Sequence, residues 1–447
     1  MMVKTTLLIP TLLCKACQSG KTSEAFDNWI KEQNIINDKT SNERKIGIFI
    51  CDNSLLLTKQ TNIRAQSDNV NIMGDIVTMS SKEQINKVKK LYKNIIKNQN
   101  LTTILCCGNG RRLKDLTELF YLLENEYNKY KIYIYVDEAD KILHSKNAKE
   151  QLKTWRENSI ISKITLITAT PQENETKGLA IDFGTLSLMS IKNITQNNYH
   201  YLRDSNFIDT SSLSTSSNLD NVEQVFKNYI TIGPTIGDVW FIPGEHKTET
   251  HDAIEEKLFE LGFNCVLKIN GKQKQITYLE TIVYDTCKIK YKVSVKTFND
   301  IHEEIKHGAD DIKFSPYNNE LSRWLERYYI RNNGKKLWKF AIIGNMCISR
   351  GISIQSPECL ITHAIYGPNC AHSASGRYQM FARVCGNIKE FPSYKELGAP
   401  SIYASYYLYK SSCQMEEQAI KLSSYSQIKN NSNIETVDAE FITSLSD

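Results

Sequence analysis

The chain lacks any apolar run approaching the roughly 18–20 residues that span a bilayer, so no membrane partner is expected. It also lacks a second CxxC to accompany Cys14-Lys15-Ala16-Cys17, and its twelve cysteines are scattered, many of them in apolar runs. A zinc ribbon and a disulfide framework are both disfavoured. Buried reduced thiols in an intracellular, reducing compartment are expected instead. His144, His200, His302 and His307 show no metal-ligand spacing, and no repeat recurs at solenoid length. Neither charge dominates. A net charge of +5 permits a polyanionic partner without demanding one. The first seventeen residues resemble a signal peptide only superficially, because Pro10 interrupts the run and cleavage would remove a strand that the next feature needs.

What is present is ordinary globular material, 447 residues with 41% apolar and 23% charged, enough for two or three domains. The abundance of Asn, Ile and Lys reads as codon bias. An apolar strand (Leu7, Leu8, Ile9, Leu12, Leu13) runs into Gln18-Ser19-Gly20-Lys21-Thr22 and then a helix. Gly-Lys-Thr at a helix start suits phosphate: backbone N–H groups and the positive helix end hold the oxygens, Lys adds a charge, and Thr can hold Mg²⁺. Lys15 stands where the full pattern has glycine.

Strands and helices then alternate. Ile46–Cys51, Asp75–Met79, Leu101–Cys107, Ile132–Val136 and Lys163–Ile167 read as strands; Leu55–Arg64, Lys82–Lys97 and Leu113–Tyr127 read as helices. Continuous apolar strands suit a parallel sheet covered on both faces. The strand Ile132–Val136 ends on Asp137-Glu138-Ala139-Asp140, and Lys163–Ile167 ends on Thr168-Ala169-Thr170. Beside a phosphate loop, the first carboxylate holds Mg²⁺ and the second polarises the attacking water. A Ser/Thr/Asn-rich stretch, 209–221, reads as a loop or linker edge. A second α/β set follows, with strands at Asp238–Ile242, Cys265–Ile269 and Phe340–Ile343, helices at Glu255–Leu261, Glu320–Arg331 and Met415–Leu422, and a β-hairpin at about 272–299.

The three N-terminal clusters, in this order, resemble motifs I, II and III of superfamily-two DEAD/DEAH-like helicases and translocases. Asn345–Ile352 is similar to motif V, Gln379-Met380-Phe381-Ala382-Arg383 to motif VI, and residues 238–246, more weakly, to motif IV. The overall style is similar to helicases of large DNA viruses. The resemblance implies an α/β chain of two tandem RecA-like P-loop domains with parallel sheets, ATP between them, and a short helical C-terminal extension. The implied boundaries are 1–195 for the first domain, 196–221 for a linker, 222–395 for the second domain, and 396–447 for a helix and mobile tail.

The resemblance further implies ATP and Mg²⁺ as cofactors. Gln18, Ser19, Gly20, Lys21 and Thr22 would cradle the phosphates; Thr22 and Asp137 would hold Mg²⁺; Glu138 would act as general base. Gln379 and Arg383 would approach the γ-phosphate, and Gly351 would belong to the nucleotide side. Gly386 stands where the pattern often has a second arginine, so Arg383, or Arg377 nearby, is the candidate finger. Asn53, Gln60, Asn109, Arg111, Arg112, Thr168, Thr170, Pro243, Gly244, His246 and Arg350 would line or couple to a nucleic-acid track, mostly through phosphate contacts. The hairpin, rich in Lys and Tyr, reads either as a nucleic-acid grip or as a solvated edge. The Pro-Thr-Arg-Glu-Leu and His-Arg-x-Gly-Arg signatures of DEAD-box RNA helicases are absent. The expected function is therefore an ATP-dependent helicase or translocase with DNA favoured over RNA, acting in cytoplasm, nucleus or a viral factory or packaged in a virion, with replication or transcription proteins as further partners. The alternative is a non-motor binding or structural subunit with a vestigial ATP site; a nucleotide kinase is disfavoured for want of a lid.

Overall fold

The structure, a computed structural model, describes residues 7–35, 43–51, 61–62, 64–66, 70–79, 87–126, 129–174, 177–195, 197–270, 274–284, 288–297, 338–345, 354–357, 359–427 and 435–445. The expected helix at Glu320–Arg331, most of the one at Leu55–Arg64, and all of the motif V resemblance except Asn345 lie outside these residues.

The chain divides into two compact units, one of residues 1–195 with 417–447, the other of residues 196–416. The first carries β1 (Thr11–Cys14), α1 (Lys21–Asn34), β2 (Arg44–Cys51), β3 (Asp75–Met79), α2 (Val88–Lys97), β4 (Leu101–Cys107), α3 (Gly110–Glu124), β5 (Tyr130–Asp137), α4 (Ala139–Ile142), α5 (Lys146–Trp155), β6 (Ile161–Thr168), the short pair β7 (Gln172–Asn174) and β8 (Lys177–Gly178), α6 (Leu179–Phe183) and β9 (Leu186–Leu188). Its main sheet has the order β18-β9-β1-β6-β5-β2-β4-β3, where β18 is Thr436–Val437. Every pairing in it is parallel except β18 with β9.

Alternation along the strands explains why both faces are covered. Leu12, Ile48, Ile134 and Leu166 pack against Leu113, Leu116, Phe120 and Trp155 of the helices on one side. Their neighbours Leu13, Phe49, Tyr135 and Ile167 face Phe26 and Trp29 of α1 on the other. The expected N-terminal strand is corrected: Leu7 and Ile9 are exposed, and the strand is Thr11–Cys14, because Leu12 and Leu13 are the residues in register with Leu166 and Ile167 of β6.

The second unit carries β10 (Asn206–Asp209), α7 (Asn218–Asn228), β11 (Val239–Pro243), α8 (Thr248–Glu260), β12 (Cys265–Ile269), β13 (Lys274–Tyr284), β14 (Lys288–Thr297), β15 (Phe340–Gly344), β16 (His363–Ile365), α9 (Ala374–Phe381), α10 (Pro392–Leu397) and β17 (Ser401–Ala404). The sheet order is β10-β17-β16-β11-β15-β12-β13-β14, parallel up to β12 and antiparallel through β13 and β14. Trp240, Val266, Ala341 and Ile343 form its core with Val222, Val225 and Phe226 of α7 and Ile254 and Leu258 of α8. Two eight-stranded, mostly parallel sheets with helices are the architecture expected of two RecA-like domains.

Two boundaries differ from expectation. Residues 196–221 are not a linker: they contain β10, which pairs with β17, and the start of α7. The C-terminal segment is not an appendage with a free tail. Helix α11 (Tyr406–Ser426) has its first half in the second unit and its second half in the first, and β18 with α12 (Ala439–Ser444) completes the first unit.

Candidate nucleotide and nucleic-acid site

Strand β6 lies between β1 and β5, so three adjacent strands bring three polar ends to one edge. Ligands of open α/β sheets bind at such carboxyl edges. From β1 the chain enters the candidate phosphate loop, residues 18–22. Gly20 takes φ 87° ahead of α1, a left-handed turn that favours glycine. Ser19 Oγ donates to the Ala16 carbonyl at 2.6 Å, and Lys21 Nζ donates to the same carbonyl at 3.3 Å, so the loop closes on itself around a buried lysine. Thr22 Oγ1 donates to Asp137 Oδ2 at 3.1 Å, joining the loop to the end of β5. Burial pushes the Asp137 carboxyl up, while the Lys21 charge, the Thr22 hydrogen bond and Arg64 hold it down. Among the described residues, only two non-glycines have positive φ: Gln18 at 56° and Glu138 at 52°. Both sit in these two loops. Such conformations cost on the order of 1–3 kcal/mol each and concentrate at functional sites.

Lys15, the departure from the glycine pattern, is spent elsewhere. It is buried, its Nζ lies 3.5 Å from Glu24 Oε2, and its backbone N–H donates to the Thr168 carbonyl. Burial pushes its pKa down and Glu24 opposes. Glu24 also accepts from the Lys192 N–H at 3.3 Å. Nothing local in the sequence announced this pair; it depends on α1 folding back over the loop.

Asp140 is the residue whose role the sequence left blank. Its carboxylate accepts from Thr168 Oγ1 at 2.7 Å and Thr170 Oγ1 at 2.8 Å, and the Thr170 N–H donates to Thr168 Oγ1 at 2.9 Å. Thr168 and Thr170 are buried, and their hydroxyls bind the fourth residue of Asp-Glu-Ala-Asp.

Of the expected track residues in this unit, Asn53 and Gln60 lie outside the described residues. Asn109 caps α3, accepting from the Arg112 N–H at 3.0 Å. Arg112 is corrected: it is 3% exposed and its Nη1 pairs with Asp115 at 2.7 Å, a geometry that leaves it no surface for phosphate. Arg111 is exposed and lines an open cavity of about 470 Å³ with Gly110, Lys114, Asp115 and Asn147.

In the second unit, Pro243 and Gly244 are buried, and their carbonyls accept from Asn218 at 3.1 Å and Asn345 at 2.6 Å. They serve packing of the strand ends; His246, next along, is exposed. Arg350 and Gly351 lie outside the described residues. Gln379 and Arg383 are both buried, and Arg383 Nε donates to the Gln379 carbonyl at 3.3 Å. Gly386 has φ 124° and pairs by backbone with His200, N–H to carbonyl in both directions at 2.7 and 3.2 Å. Position 386 is therefore a backbone splice that favours glycine, not an arginine site with its arginine missing.

No protein family model matches the chain, and no curated protein matches it. Solved structures do. One is a Dbp5 variant from S. cerevisiae bound to RNA and ADP–BeF3, 14% identical over 93% of this chain and 83% of the other, with a TM-score of 0.44. Another is the DUF1998 helicase MrfA bound to DNA, 12% identical over 94% of this chain, with a TM-score of 0.45; this chain spans 50% of its length. A third is the yeast DEAD-box splicing factor Prp28, at 11% identity, 89% and 72% coverage and a TM-score of 0.25. At this level of likeness the functional reading has to rest on the chain's own residues.

Proposed function

We propose that this protein is an ATP-dependent helicase or translocase acting on nucleic acid, with DNA favoured over RNA. The observation that carries the reading is the Thr22–Asp137 hydrogen bond, which joins a Gly-Lys-Thr loop to an acidic strand end with Lys21 buried alongside. Two hard oxygens that close to one another fit Mg²⁺, and the lysine with the start of α1 fits triphosphate. Thr22 and Asp137 would hold the ion, whose charge would neutralise that building on the phosphates. Gln18 to Lys21 would hold the β- and γ-phosphates, and Glu138 would take the proton of the attacking water. The Asp140 bridge to Thr168 and Thr170 ties β5 to β6, so a shift at Glu138 is passed to the next strand end. Gln379 and Arg383 of the second unit are buried, so answering to the γ-phosphate, an arginine contribution of about 10³–10⁵-fold where one is present, would require their exposure.

The rival reading, a non-motor subunit with a vestigial site, draws on the burial of Gln379 and Arg383. ATP turnover measured alone and with single-stranded DNA, duplex DNA and RNA separates the two. Stimulation by a polymer, abolished in Lys21→Ala and Glu138→Gln with the fold intact by circular dichroism, is expected. A flat, near-zero rate favours the rival, and undiminished turnover in either variant refutes the site.

A further inference from the structure

Helix α11 opens on Tyr406 and Tyr407, which are 54% and 69% exposed. Its start is pinned: the Tyr406 N–H donates to Asp209 Oδ1 at 3.1 Å and to Ser211 Oγ at 2.8 Å, so Asp209 is occupied in holding the backbone. Each ring has its own cation. Lys410 Nζ lies 5.8 Å from the Tyr406 ring centre, one helical turn along. Arg377 of α9 lies 5.8 Å from the Tyr407 ring centre, a contact between residues thirty positions apart that helix periodicity does not explain. Arg377 side-chain nitrogens make no hydrogen bond or ion pair with any described residue, and its Nε is buried without a partner. An arginine held by a ring face keeps its donors for something else.

We propose that Tyr406, Tyr407, Arg377 and Lys410 form a stacking site for single-stranded nucleic acid, the rings taking bases and the cations taking the adjoining phosphates. The proposal rests on the nucleic-acid reading above and assigns Arg377 to the strand rather than to the γ-phosphate. Two ring–cation pairs at successive positions of one helix start suit more than one nucleotide, whereas a mononucleotide needs one. Base stacking on aromatic rings tolerates any sequence, and positive charge nearby follows the backbone. The two exposed rings also cost little to the free protein, since scattered surface tyrosines are ordinary.

The test is fluorescence anisotropy with a labelled oligothymidylate and an abasic deoxyribose-phosphate oligomer of the same length. The wild type is expected to prefer the oligothymidylate. Tyr406→Ala/Tyr407→Ala should lose about tenfold or more of that affinity, as one stacked base implies, while abasic binding stays put. The double Phe variant should retain stacking, which separates a lost contact from a lost fold. Arg377→Gln should weaken both oligomers and flatten the salt dependence by about one unit of slope. Wild-type binding to both oligomers with no loss in the Ala variant overturns the proposal and leaves the helicase reading standing. A loss confined to fluorescent ATP analogue binding overturns it in favour of a mononucleotide site. No wild-type binding to either oligomer overturns it together with the nucleic-acid reading.

Discussion

Placing an arginine at position 386 should damage this protein rather than improve it. Gly386 sits at φ 124° and exchanges two backbone hydrogen bonds with His200, whose ring is itself buried between Tyr394 Oη at 3.1 Å and Ser205 Oγ at 2.9 Å. Any side chain at that φ strains the backbone by on the order of 1–3 kcal/mol. For a unit of this size each kcal/mol lowers Tm by about 2–4 °C, giving a fall of roughly 2–12 °C. The strain comes from Cβ, so Gly386→Ala should cost nearly as much as Gly386→Arg, and the pair separates backbone strain from the arginine's own chemistry. Thermal melts and ATP turnover on both variants read this out. An arginine variant with unchanged Tm and faster hydrolysis would show that position 386 had been free to carry a finger, and the argument from the splice would fall.

Two further outcomes follow from buried charge. Asp140→Ala strands the Thr168 and Thr170 hydroxyls and should cost about 2–5 kcal/mol in urea unfolding of the purified chain, with a loss under about 1 kcal/mol counting against the bridge. Glu416 is buried and its carboxyl is pushed up to about 7, with the Leu202 N–H at 2.9 Å opposing burial. A raised carboxyl favours the folded state below the ordinary carboxylate range, and that contribution is lost as pH rises through about 7. Glu416→Gln should thus gain on the wild type by up to about 3 kcal/mol between pH 5 and pH 9, and an unchanged difference across that range refutes the assignment.

The central strands were legible because burial on both faces writes a continuous apolar run: Leu101–Cys107 and Cys265–Ile269 fall where the pattern puts them. The shortest strands were not. Strands β9, β17 and β18 have only two to four residues each and owe their place to partners far along the chain. The same division runs through the site. Lys21, Thr22 and Asp137 stand out because their chemistry needs a local spacing, and the fold brings Thr22 to Asp137. The Lys15–Glu24 pair, the Asp140 bridge and the His200–Gly386 splice are tertiary contacts with no periodic trace. Arg112 was misread for the complementary reason: a charged residue at a helix start looks like surface until Asp115 and the packing around it are seen.

The first unit is interrupted in sequence, and that has a bearing on synthesis. Ser423 of α11 donates to the Cys14 carbonyl at the end of β1 at 2.8 Å, and β18 pairs with β9. A ribosome that has released Thr195 must still add roughly 220 residues before Glu417 and its successors emerge, some 10–45 s at about 5–20 residues per second. For that interval the half carrying Lys21 waits with an open sheet edge. A chain broken off anywhere in the second unit would lack both Ser423 and β18. The arrangement makes the first unit wait on residues that follow the whole of the second, a dependence written into the order of the strands.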